Sequence, residues 1–216
     1  RLTPEKMQET LASVVANFNE LIDTYAEEEY KEKWKVSIQD GSVTFGSAKD
    51  RWAINVDIMK KKGVTFKDVI DAYSDSGKVE DLVEKAPLAE AVLGMVVKHH
   101  PPPHVAQKYR IPKIWKGDLE SDLGKSILNC DDNGPTVMMI VNMTIDPAAG
   151  PVAIGRLFSG KIKDGQTINI IDSKREGRVQ SVNFFMSNVR EQVGELSAGN
   201  IPALLGLTEA RAGQTV

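Results

Sequence analysis

The chain is short of several things that would declare a chemistry. Its 216 residues include one cysteine, Cys130, and three histidines. One thiol cannot close an internal disulfide, and so few Cys and His residues supply no Cys/His metal framework, which fits a reducing, cytoplasmic setting. No charge dominates: 27 Lys and Arg stand against 30 Asp and Glu, a net charge of −3. Any contact with nucleic acid must therefore come from a local patch rather than from the whole surface. No apolar run approaches the ~20 residues that cross a bilayer, and the polar, helix-patterned start does not read as a secretory leader. The pattern G-x-x-x-x-G-K-[ST], whose backbone amides cradle phosphates, is missing. So is any nucleophile–base constellation; Asp50 and Asp57 read as isolated carboxylates without a partner for acid/base work.

What is present is ordinary globular material, 41% hydrophobic and 26% charged. Met7, Leu11, Val14, Val15, Phe18, Leu21, Ile22 and Tyr25 recur at steps of three and four, which predicts an amphipathic first helix. Thr3 is placed as its N-cap, with Pro4 at the first helical position and Glu5 where the helix dipole favours an anion. Two strand-like pieces, 34–38 and 43–45, flank Asp40-Gly41 and predict a hairpin. Residues 53–98 read as helices broken at Gly63, at a loop over 74–77 and at Pro87.

The run His99-His100-Pro101-Pro102-Pro103-His104 is expected to stop the last helix and open an extended linker lasting to residue 134. Its histidines raise a metal reading, set against a helix end followed by a stiff connection. Beyond it the pattern turns to β, with strands expected at 137–143, 153–158, 167–171, 178–185, 192–196 and 201–207. Six or so short strands at that spacing predict a closed antiparallel barrel. The chain is thus α/β first and all-β second.

The loop Phe45-Gly46-Ser47-Ala48-Lys49 carries the functional signal. A Ser-Ala-Lys turn after an apolar strand is similar to the guanine loop of many GTPases. There the Ala N–H can donate to guanine O6, the Ser braces the turn and the Lys stem lies on the base. The alternative is an ordinary strand-to-helix turn.

Four stretches then resemble one family in the right order. Ile154-Gly155-Arg156-Leu157-Phe158-Ser159-Gly160-Lys161, followed by Gly165, looks like the signature of the second-domain barrel of translational GTPases. Ala198-Gly199-Asn200-Ile201 resembles a later segment of the same barrel. His100 through Arg110 is similar to the connection between GTPase domain and barrel in the translocase family of archaea and eukaryotes, with an archaeal leaning. Ser47-Ala48-Lys49-Asp50-Arg51-Trp52-Ala53 is similar to that family's guanine loop.

The resemblance implies the C-terminal part of a P-loop GTPase domain with its linker at 1–118, and a translation-factor domain II β-barrel at 119–216. It implies GTP or GDP with Mg²⁺ in the parent protein, Ser47, Ala48 and Lys49 at the guanine base, and no catalytic or metal-binding residue in this stretch. It implies the ribosome as partner, the tRNA–mRNA complex indirectly, and GTP-driven translocation as activity. Phosphate loop and switch regions would lie elsewhere, so the segment alone is expected neither to hydrolyse GTP nor to hold nucleotide. Unpaired sheet edges are expected to favour self-association.

Two other readings compete: a ribosome-assembly or recycling GTPase of the same superfamily, and a non-enzymatic RNA- or protein-binding module. Arg156, Lys161, Lys163, Lys174, Arg175 and Arg178 form a cation cluster that is either an RNA-phosphate surface or a solvated barrel rim. Alternation is expected to turn only one of Phe184 and Phe185 outward. Trp52 and Trp115 are read as packing residues.

Overall fold

The computed structural model describes residues 4–74, 77–171, 174–187 and 189–216. The chain folds as two compact units, Arg1–His100 and Pro101–Val216.

In the first unit the helix α1 (Pro4–Tyr25) is followed by α2 (Glu28–Trp34). The N-cap assigned to Thr3 lies outside the described residues. Along α1, Met7, Leu11, Val15 and Ile22 are half-buried, while Val14, Phe18, Leu21 and Tyr25 stand exposed. The hairpin expected around Asp40-Gly41 does not form. The reason is that side chains take the hydrogen bonds a ladder would use. Asn19 donates from Nδ2 to Val36 O at 2.9 Å and accepts from Val36 N–H at 2.8 Å. Ser42 Oγ accepts from Ser37 N–H at 2.8 Å, and Asp40 Oδ1 accepts from Ser42 N–H at 2.8 Å. Such local bonding offers the backbone an alternative to sheet pairing.

The hairpin lies one step later, between β1 (Phe45–Ser47) and β2 (Trp52–Ile54), antiparallel with Ser47 opposite Trp52. Gly46 is required here: a Cβ would fall 2.5 Å from Trp52 O and 2.7 Å from Ala53 Cβ. All three residues of β2 are buried. Its other side is held by Ala53 N–H to Ala86 O at 3.0 Å and Leu88 N–H to Arg51 O at 3.0 Å.

The helices α3 (Val56–Lys62), α4 (Phe66–Ala72), α5 (Val79–Lys85) and α6 (Leu88–His99) follow. Asn55 caps α3 by accepting from Ile58 N–H. Thr65 and Asp68 form a reciprocal capping box on α4. These breaks at Gly63 and Pro87 match the sequence reading. One core unites the elements: Trp52, Ala53, Ile54, Ile58, Val64, Val69, Ala72, Leu82, Ala86 and Ala91.

The second unit corrects the expected extended linker. Pro103–Ile114 is a helix, α7, and Asp122–Asn129 is another, α8. The three prolines end one helix and begin the next. Pro102 takes the cap and Pro103 the first helical position, where a missing N–H costs nothing. Residues 101–118, read as a connector to the first domain, fold with the second unit. Gln107, buried on α7, donates from Nε2 to Ile127 O of α8 and to Phe158 O at 3.0 Å.

The β part has nine strands among the described residues. They are β3 (Val137–Asp146), β4 (Gly150–Ser159), β5 (Lys161–Lys163), β6 (Thr167–Ile170), β7 (Arg175–Arg178), β8 (Ser181–Met186), β9 (Val189–Gln192), β10 (Glu195–Ser197) and β11 (Ala203–Leu205). All pairings are antiparallel: β3-β4-β11-β8-β9 in one sheet, with β5–β10 and β6–β7 as two-stranded pieces. The expected strand 178–185 is two strands, because Val179 N–H bonds to Gln166 O and Gln180 N–H to Leu205 O, turning a corner between sheets. The expected strand 192–196 breaks where Val193 and Gly194 both donate to Val182 O. The sequence reading lacks strand β5; it follows Gly160, whose φ is 74° and where a Cβ would fall 2.6 Å from Thr136 Cα, so no side chain fits.

Residues 213–216 return to β3. Met138 and Val216 exchange both backbone hydrogen bonds at 2.8 Å, and Ile171 N–H reaches Thr215 O at 3.0 Å. Inside lie Met138, Ile140, Leu157, Ile162, Ile168, Ile170, Val179, Val182, Leu204 and Leu207.

Candidate functional site

The Ser-Ala-Lys segment occupies the turn of the β1–β2 hairpin rather than a strand-to-helix junction. Ser47 ends β1, Trp52 begins β2, and Ala48 to Arg51 cross between them, with Arg51 at a φ of 62°. The turn is braced by hydrogen bonds that converge on the Asp50 carboxylate. Trp52 Nε1–H donates to Tyr73 Oη at 2.9 Å. The Tyr73 hydroxyl donates to Asp50 Oδ2 in a short contact. Ser47 Oγ–H donates to the same oxygen at 2.9 Å, and Ser47 Oγ accepts from Asp50 N–H at 3.1 Å.

The Trp52 and Tyr73 rings meet tilted, their centres 6.3 Å apart. The Tyr73 hydrogen bond, then that of Ser47, holds the Asp50 carboxyl below its ordinary range, with the Lys49 charge adding.

This arrangement settles what each side chain is free to do. The Ser47 hydroxyl is committed to Asp50 in both directions. Ala48 and Lys49 are exposed at the tip. Among the described residues, no protein group accepts from the Ala48 N–H. Beside the turn lies a cavity of about 640 Å³, lined by Lys49, Asp50, Arg51 and the α5 residues Val79, Val83 and Glu84. The turn thus presents an exposed amide, without a protein acceptor among the described residues, beside the Lys49 cation.

Sequence reasoning kept Ser47, Ala48 and Lys49 together, and the structure does too. It missed Asp50 as a brace, although an Asp three residues after a Ser at a turn is a known local bonding pattern. It also missed Tyr73, which no local signal ties to the loop. Asp57, read as isolated, pairs with Lys98 at 2.8 Å.

The cation cluster on the barrel divides. Lys161 and Lys163 share Glu195 at 3.9 and 2.8 Å, and Arg175 pairs with Glu209. Arg156 is half-buried on β4, and burial works against its charge. Phe184 is half-buried and Phe185 exposed, as alternation requires. Trp52 is buried and Trp115 half-buried. Among the described residues no group of three or more His, Cys, Asp or Glu is placed to hold a metal ion, and no helix is long and apolar enough to cross a membrane.

Comparison with known proteins shows what the chain is similar to. Residues 150–216 match the family Elongation factor Tu domain 2. The chain is 80% identical over 216 residues to Elongation factor 2 of Cenarchaeum symbiosum, covering all of this chain and 30% of that protein. It is 50% identical over its whole length to Elongation factor 2 of Sulfurisphaera tokodaii, covering 29% of it, and 50% identical to that of Methanocaldococcus jannaschii, covering 30%. Along its whole length the chain is therefore similar to archaeal Elongation factor 2 proteins, and it spans about 30% of the length of these relatives.

Proposed function

We propose that this chain is part of a GTP-dependent elongation factor that moves tRNA and mRNA through the ribosome in the cytoplasm. The observation that carries the reading is the unbroken 80% identity to an archaeal Elongation factor 2 over all 216 residues. In this reading 1–100 is the C-terminal part of the GTP-binding domain, and 101–216 is the connector together with the second-domain barrel.

The chain's own contribution to nucleotide binding is at the base. Ser47 holds the turn, the Ala48 N–H donates to guanine O6, and the Lys49 stem covers the ring. The residues fit that group: the amide is rigid, exposed and free of a protein acceptor, and a donor there disfavours adenine, whose amino group is itself a donor. Bound GTP supplies the free energy of hydrolysis that drives movement. Phosphates and Mg²⁺ are held, in this reading, by parts of the polypeptide outside this segment, so the segment alone is inactive.

The test is translocation of a peptidyl-tRNA on archaeal ribosomes by the full-length polypeptide. GTP-dependent movement of one codon is expected, with none in ATP. Subunit splitting without movement would overturn the reading in favour of a recycling factor, and subunit joining or maturation without movement in favour of an assembly factor.

A further inference from the structure

We propose that Tyr73 is a positioning residue for base recognition: acting through Asp50, it fixes Ser47 and thereby the direction in which the Ala48 amide meets a purine O6. The inference rests on the reading of this loop as a guanine site.

Four observations carry it. The first is the anchoring of Tyr73 at the end of α4, a helix started by the Thr65–Asp68 box and sunk into the core through Val69 and Ala72. The second is that its oxygen is claimed from behind by the indole of Trp52, itself buried at the start of β2. An indole N–H can only donate, so the phenol must accept there and is left to donate forward.

The third is that it does donate forward, to Asp50 Oδ2, an ionised acceptor lowered further in pKa by that bond. The fourth is that Asp50 and Ser47 lock each other through two hydrogen bonds across the turn, one of them to the backbone. The relay thus runs from strand to helix end to turn with every donor direction fixed. Ala48 sits between the two locked residues and has no other restraint. Remove the phenol oxygen and the carboxylate keeps Ser47 but loses its tie to α4, so the turn swings as a unit. Charge-assisted links of this kind are stronger and more directional than neutral ones.

The experiment compares two nucleotides on the full-length polypeptide: GDP, and 6-thio-GDP, which keeps the N1 proton but replaces O6 by a sulfur, a weak acceptor. Both are measured by competition against a fluorescent GDP derivative. The wild type is expected to prefer GDP by about tenfold, the worth of one well-made hydrogen bond. Tyr73→Phe is expected to cut that preference to about twofold while leaving the affinity for the analogue within about twofold. Asp50→Asn should do the same, and Ser47→Thr, which keeps the hydroxyl, should retain most of it.

Loss of preference in Tyr73→Phe and Asp50→Asn at constant analogue affinity supports the proposal. Equal weakening of both nucleotides marks a merely structural role and overturns it. So does a preference that survives in both variants, which leaves the base-site reading intact. A wild type that binds both nucleotides equally sinks the base-site reading, and the inference with it.

Discussion

Tyr73 and Asp50 lie on different elements and are joined through a single carboxylate oxygen. That link ties a helix end to a surface turn, and its pH dependence has a definite sign. Asp50 has a lower pKa folded than its ordinary 3.8. A group depressed in this way contributes stability that is complete above the unfolded value and vanishes as pH falls through the folded one. The indole N–H resonance of Trp52 should therefore report an intact relay at pH 6 and lose its downfield position well below pH 3.8. Asp50→Asn should show that shift at neutral pH.

Glu90 offers a second window. It accepts from Lys61 at 2.7 Å and Lys62 at 2.6 Å, and those two ammonium groups hold its carboxyl down to about 2 from an ordinary 4.5. Its contribution should be whole above pH 4.5 and decline between there and about pH 2. The groups are solvent-exposed, so the effect should shrink in 1 M salt. Thermal melts of wild type and Glu90→Gln across that range check both; melts that differ by the same amount at pH 2 and pH 6 would contradict the assignment.

Gly46→Ala should damage the hairpin by sterics alone. Its Cβ would meet Trp52 O, a backbone atom that cannot swing aside. We expect a loss of about 1–3 kcal/mol, the usual cost of overpacking, confined to the first unit. Urea unfolding followed by Trp emission measures it.

Gln107→Ala should destabilise the second unit by roughly 2–3 kcal/mol. It leaves Phe158 O without its buried donor and Ile127 O with only the Cys130 N–H at 3.4 Å, and each unsatisfied buried acceptor costs about 1–3 kcal/mol before relaxation. Gln107→Leu should be no better, since volume is not what is missing. Denaturant midpoints for the two variants should agree.

The isolated 216-residue segment should associate with itself. The exposed Val14, Phe18, Leu21 and Tyr25 make a continuous apolar stripe on α1. Sedimentation velocity should show species heavier than the monomer at high concentration, reduced by Phe18→Ser with Leu21→Ser. A single monomer boundary at all concentrations would refute this. The same preparation should release no phosphate from GTP.

How much of this was legible in the sequence follows from the range of the forces. Helices α1 and α3 to α6 were readable because an apolar period of 3.6 residues and breaks at Gly63 and Pro87 are local facts. The barrel was readable as a class because short β-rich runs and turn residues recur. Its strand breaks were not, because Val179 and Gln180 change partners for reasons located at Gln166 and Leu205. The false hairpin at Asp40-Gly41 had the right turn residues; Asn19, far back on α1, took the backbone bonds instead. At the candidate site, Ser47 to Lys49 were visible as a motif. Tyr73 was not, since its oxygen acts across the fold from just beyond the end of α4.

The pairing of Met138 with Val216 sets when the second unit can finish folding. On a ribosome β3 emerges early and must wait, its ladder unfilled, until residues 213–216 appear. Contacts so distant in sequence are slow to form, because loop entropy is lost before the bond is gained. The β3–β4 hairpin can assemble at once, but the barrel stays an open sheet with a sticky margin through most of its synthesis. Variants that loosen this closing segment should show their defect in the yield of folded protein at high temperature before they show it in any melting curve.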